Sequence, residues 1–383
     1  DFTKPRDAIA WWMARMLRTA SPLRERVVLF WHGLLTSGLS KVGPERAALM
    51  VAQNAFFRAN ALGPYDVLLK GIVRDPAMML WLDIHTSKKG SPNENYAREL
   101  MELFTLGPGN YTEQDIRESA RAHTGYSLRP RRGYFFDPAQ HDGGSKTFLG
   151  QTGNFDADGI VDIVLAQDAA PAFFAERVFE EFAYRRPEPS VIEPIARVAR
   201  ESGFEMRAVL RAVLTSEAFY APEAYRAIVR SPVEFVIGSL RLAGLTIDGR
   251  VLVAACRSMG QTLFDPPNVA GWPGGRTWLG TSTWFARVNA AGALMNGFGA
   301  GRERFAGAPT ETFVDPSART SDEAVDAAAL TLVDGVLDEA SRATLRAFLD
   351  EGGPFASLGE SARQERLRGL VTLLLASPGY QLA

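Results

Sequence analysis

The side chains best suited to chemistry gather between Lys88 and Gly125, in KKGSPNENYARELMELFTLGPGNYTEQDIRESARAHTG. Glu99 and Glu102 are three residues apart, which on a helix puts both carboxylates on one face. Such a pair can divide the work of general acid and general base. Asp115 and Glu118 repeat the spacing, and His123 follows near the end of the same segment. Beyond it come His141 and Asp142, then Gly143, Gly144 and Lys146. An imidazole and a carboxylate delivered by this glycine-bearing loop could complete a hydrolytic site on the acidic helices. They could also complete a site for a divalent metal, since helical bundles hold such ions through inward-facing Glu and His. The Glu-x-x-His pairs of the di-iron pattern are missing. Asp-Gly-Gly is equally a turn signal. His32, in the apolar run RVVLFWHGLL, reads either as a core histidine satisfied by one hydrogen bond or as an acid/base reaching the carboxylates.

Local signals say what positions these groups. Ser91 reads as an N-cap with Pro92 as the first helical residue, and Glu94 three positions on completes a capping box. The helix then runs through Phe104, with Gly107 as its left-handed stop and Pro108 preventing resumption. Thr112 with Asp115 opens a second helix, which Gly125 closes. The Gly-Pro-Gly-Asn connection makes the two helices close neighbours.

Around them the pattern is helical: residues 4–19, 22–38, about 44–60, and 65–83. The last of these introduces a theme, an LLxxI-like helix broken at a Ser/Asp-Pro-like step before an aromatic or Met cluster. It recurs at 161–175, 206–222 and 366–382. Ser231-Pro232-Val233-Glu234 caps another helix with an apolar stripe. Residues 126–158 lack helical period and read as a long ordered loop, with one short hairpin pairing Gly133–Asp137 with Lys146–Leu149. Such a long loop inside a compact domain is usually functional. Residues 261–284 form a second irregular segment, whose Trp272, Trp278 and Trp284 read as a wall or lid for a sugar, or as a loop pinned to the core. The expected fold class is all-α, a multi-helix orthogonal or bundle assembly with two long irregular loops and at most a small β-hairpin. The expected divisions are 1–125, a helical core with the acidic helix pair; 126–158, the functional loop; 159–300, a helical domain with the Trp-rich segment; and 301–383, a linker at about 300–322 and a C-terminal helical unit.

Composition narrows the function classes. The 383 residues carry 42 basic and 44 acidic side chains, a net charge of −2, which gives no electrostatic case for nucleic acid or an anionic membrane. No apolar run reaches the roughly 18 residues of a membrane span. The single cysteine, Cys256, excludes an internal disulfide framework and a Cys-rich metal site. Any histidine site must draw on His32, His85, His123 and His141. The chain opens at Asp1 rather than Met, and we read the N-terminus as trimmed.

Several stretches resemble the bacterial domain-of-unknown-function family 1800 (DUF1800). They are LFWHGLLT (29–36), KGSPNENYARELMELFTLG (89–107), YTEQDIRESARAHTGY (111–126), HDGGSKTFLG (141–150) and FDPPNVAGWPGGRTWL (264–279). Order and spacing match as well. His123 departs from an apolar residue, and Tyr126 from a Trp. The resemblance implies an all-helical protein, export to the periplasm or medium, and a co-encoded exported neighbour; it supplies no activity. It points to Trp31, His32, Asn93, Glu94, Arg98, Glu99, Glu102, Asp115, Glu118, His141, Asp142 and Lys146.

Two functional readings follow. In one, the protein is a hydrolase of a glycan or similar polymer. Glu99, Glu102, His141, Asp142 and His32 are catalytic, a divalent metal is an optional aid, and Arg98, Lys146, Trp272 and Trp278 bind substrate. In the other, it is a non-catalytic binding or assembly protein. There Arg98 pairs with Glu94 and Glu102, Lys146 with a remaining acid, and the Trp-rich segment meets a partner.

Overall fold

Helices begin where the sequence supplies a proline with no amide hydrogen to lose. Pro5, Pro22, Pro76, Pro189 and Pro232 each open one. Capping boxes form at Thr112 with Asp115, at Ser231 with Glu234, and at Thr320 with Glu323. The computed structural model describes residues 2–129, 133–298 and 305–383. Among them are eighteen α-helices and two small two-stranded antiparallel sheets, so the chain is all-α. No described helix is long and apolar enough to cross a membrane.

The recurring theme is a helix followed at once by a second helical turn. Tyr65–Ile72 precedes Pro76–Trp81, Ala157–Leu165 precedes Ala169–Phe182, Met206–Leu214 precedes Glu217–Phe219, and Glu360–Ala376 precedes Pro378–Gln381. Asp75 and Ser216 cap the second member, accepting from the Met78 and Phe219 amides at 3.0 and 3.2 Å.

The chain forms two compact units. One comprises Asp1–Ala8, Thr19–Tyr225 and Leu263–Pro273. Its core is built on stacked aromatics. Tyr65 lies 4.8 Å from Phe174 and 5.2 Å from Trp31 between ring centroids. Their polar ends are satisfied inside: Trp31 Nε1 donates to the Ala61 carbonyl at 2.9 Å, and Tyr65 Oη to the Phe104 carbonyl at 2.6 Å. The other unit comprises Ile9–Arg18, Arg226–Thr262 and Gly274–Ala383. There Arg287, 1% exposed, donates to the carbonyls of Trp278 and Arg230 and to Gln381 Oε1.

The irregular segment after Gly125 differs from the expected hairpin. Strand β1 (Tyr126–Arg129) pairs with β2 (Gly133–Phe136), and β3 (Lys146–Phe148) pairs with β4 (Gln151–Gly153). The two stretches expected to pair with each other thus belong to separate hairpins. Leu149 and Gly150, both at positive φ, close the second in a two-residue turn. The turn between β1 and β2 falls at 130–132, outside the described residues. So does part of the expected excursion at 300–322; in the rest of it Ala308, Phe313 and Val314 are buried.

Candidate functional site

Ser91 does not cap the acidic helix. It is folded back on Lys88 in a tight turn, the two exchanging backbone bonds of 2.8 and 3.2 Å. The α-helix begins at Asn95. Asn93 does the capping work: its Oδ1 accepts from the Asn95 amide at 2.9 Å, while its own amide donates to Ser87 Oγ at 3.1 Å. The helix widens after Glu99 into a π-helical stretch, Leu100–Thr105. The Leu106 amide there reaches back five residues to the Met101 carbonyl. Such wide turns recur at functional sites. Gly107, at φ 77°, ends it.

Glu99 and Glu102 flank the start of this wide turn, both half-buried. Burial, and then the neighbouring Glu102 charge, raise the Glu99 carboxyl above its ordinary range. Tyr111 Oη donates to Glu102 Oε2 at 3.1 Å, and burial with this carboxylate pushes the phenol up to about 12. Arg98 does not take Glu102. Its guanidinium forks onto both oxygens of Glu113, each at 2.9 Å, with Glu94 at 3.6 Å.

The second pair of acids is engaged in holding the loop. Asp115 Oδ2 accepts from Thr112 in the capping box, and its Oδ1 from the Leu149 amide at 2.8 Å. Arg121 Nη1 meets Glu118 Oε2 at 2.6 Å, and Nε and Nη2 meet the carboxylate of Asp142 at 2.7 and 3.3 Å. The Arg121 hydrogen bond holds the Asp142 carboxyl down at about 2. Lys146, buried, finds no acid partner; its Nζ donates to the carbonyls of Asp142 and Gly144 and to Asn154 Oδ1. Burial lowers its pKa. His141 Nδ1 lies 2.9 Å from the Thr124 carbonyl, with the ring against Phe136.

His32 sits in the apolar core, 1% exposed, and burial lowers it to about 3. Its Nε2 accepts the Phe264 amide at 3.2 Å, and Trp272 packs against the ring at 5.4 Å between centroids. Trp272 belongs to the same unit as the acidic helices; Trp278 and Trp284 belong to the other. Tyr111, Glu113 and Arg121 were not singled out in the sequence, although Arg121 stands three residues past Glu118 on one helix face.

Of the proposed site residues, then, the structure joins Glu99 with Glu102, Asp142 with Lys146, and His32 with Trp272 in the core. Among the described residues, no group of three or more His, Cys, Asp or Glu is placed to hold a metal ion. What remains chemically open is an unequal carboxylate pair, one raised by burial and one hydrogen-bonded to a phenol. A family profile described as "Protein of unknown function (DUF1800)" matches residues 3–382. No curated protein and no solved structure matches the chain.

Proposed function

The chain belongs to the family described as "Protein of unknown function (DUF1800)", and on that premise we propose that it is an exported, non-catalytic helical binding or assembly protein. One observation carries this reading. Arg121 is clamped between Glu118 and Asp142, so the carboxylate brought by the loop is neutralised where a hydrolase would need it to meet substrate. Lys146 and His141, bonded to backbone carbonyls, support the same reading. The ion pairs fix the hairpin-bearing loop on rigid helices and present it as a preformed surface, which lowers the ordering cost of docking. A glycan and a second exported protein are the partners that suit it.

A second reading rests on Glu99 and Glu102. A carboxyl raised by burial beside a second carboxyl is an arrangement that general acid catalysis uses. In this reading Glu99, whose carboxyl burial raises, serves as the acid and Glu102 as the base of a glycan hydrolase. Among the described residues no three ligating side chains are grouped for a metal ion, so no step is routed through one. The experiment is a panel of chromogenic glycosides and esters, assayed with the native protein and the Glu99→Gln variant. The binding reading expects no turnover above that of the variant. Turnover abolished by Glu99→Gln at unchanged Tm overturns it and establishes the hydrolase.

A further inference from the structure

His123 ends the helix Glu113–Ala122 and is 2% exposed. Its Nδ1 lies 2.7 Å from the Ser119 carbonyl oxygen. A carbonyl only accepts, so Nδ1 carries the proton and Nε2 presents a bare lone pair. Burial pushes this imidazole down to about 4, which keeps Nε2 an acceptor at neutral pH. No group among the described residues donates to Nε2. Tyr96, 1% exposed, packs edge-on against the same ring, centroids 5.0 Å apart, and its hydroxyl also lacks a protein partner. So does the hydroxyl of Ser119, one turn back on the helix of His123. Buried polar side chains are nearly always bonded. Two such exceptions on rings in direct contact, with a third on the same helix, point to a guest.

We propose that His123 Nε2 and Tyr96 Oη bind one small neutral hydrogen-bonding molecule, a water. The proposal stands independently of the binding and hydrolase readings. A water donates one hydrogen to Nε2 and accepts the Tyr96 proton, within the two to four bonds a buried water makes. A metal does not suit the site, because no set of three ligating side chains is placed for one among the described residues. An anion does not suit it either: His123 is neutral, and the guanidinium of Arg74 is already forked onto Asp158 at 2.7 and 2.9 Å. The guest sits beneath the root of the loop, since Thr124, the next residue, receives His141 on its carbonyl and the Asp142 amide on its hydroxyl.

The test is a high-resolution crystal structure of the full chain, with urea unfolding of Tyr96→Phe, His123→Leu and the double variant. Expected is a solvent peak about 2.7–3.2 Å from both Nε2 and Oη. Each single variant lowers the unfolding midpoint, and the double falls by less than the sum, because the second change has no guest left to lose. A site without a peak, a direct bond between Oη and Nε2, or a midpoint raised by His123→Leu overturns the proposal. That last result is what deletion of an unsatisfied buried atom produces.

Discussion

His32 and His123 make stability depend on pH in a direction set by burial. Both bind a proton more weakly in the folded protein, at about 3 and about 4, than in the unfolded chain at 6.5. As pH falls below 6.5 the unfolded chain therefore takes up protons first, and each histidine removes up to about 1.4 kcal/mol per pH unit until its folded value is reached. Asp75 works the other way. Burial raises its carboxyl to about 6 from 3.8, so the folded state is protonated first and regains some stability between those values. Glu99, also raised, adds to that offset. The histidines act alone from pH 6.5 to 6, and there the loss is unopposed. Urea midpoints should fall as pH drops from 7 to 5.5, and the His123→Leu protein should show the shallower fall. Equal slopes in the two proteins would mean that His123 is not a buried neutral base. A second residue-level expectation concerns the start of the acidic helix. Asn93→Ala removes the bond to the Asn95 amide and should cost about 1 kcal/mol. Ser91→Ala, in the preceding turn, should stay within about 0.5 kcal/mol. The opposite order of midpoints would return the cap to Ser91.

At the scale of elements, the clamp of Arg121 on Glu118 and Asp142 joins the second acidic helix to the loop. Asp142→Ala deletes two charge-assisted bonds and the bond from the Gly144 amide. The ions are part-exposed, so screening trims the effect, and about 1.5–3 kcal/mol is expected, smaller at high salt. Urea unfolding at two ionic strengths measures this; an unchanged midpoint at low salt would show that the loop is held without the ion pair. What the sequence made legible at this scale is what is settled within a turn of chain. The boxes at Thr112 and Ser231 form because cap and partner are three residues apart. Ser91 carries the same local pattern and fails. Its neighbourhood is tied down from outside: the Lys89 amide donates to Gln140, 51 positions later, and the Asn93 amide to Ser87. The pairing of the hairpin strands is hidden in the sequence for a related reason. Leu149-Gly150 carries no Asn-Gly signal, so the turn that pairs β3 with β4 is inconspicuous. The Glu99–Glu102 pairing was visible as spacing. The wide turn on which it sits, and the arginine that consumes Asp142, depend on tertiary packing.

At the scale of the whole molecule, the unit bearing the acidic helices is not continuous in sequence, for it takes Leu263–Pro273 from far along the chain. That segment supplies the Phe264 amide to His32 and accepts the Leu39 amide on the Phe264 carbonyl at 2.9 Å. Thr36 Oγ1 reaches the Val269 carbonyl, and the Ser40 amide reaches Asp265. Gly271 approaches so closely that an added Cβ would lie 2.5 Å from the Gly33 carbonyl oxygen, at a φ of 81° that disfavours side chains. Leu263 and Phe264 are buried to within 1%. Losing their burial costs about 1.5–3 kcal/mol each, and loss of the Phe264 amide from His32 Nε2 adds about 1 kcal/mol. The total rivals the roughly 5–15 kcal/mol by which whole domains are stable. A fragment ending at residue 225 should therefore lack a cooperative urea transition, although it retains the acidic helices and their loop. Joining residues 263–273 to it through a flexible Gly/Ser linker should restore one. If the bare fragment unfolds as cooperatively as the linked version, the late segment is a passenger on a unit that the first 225 residues complete alone.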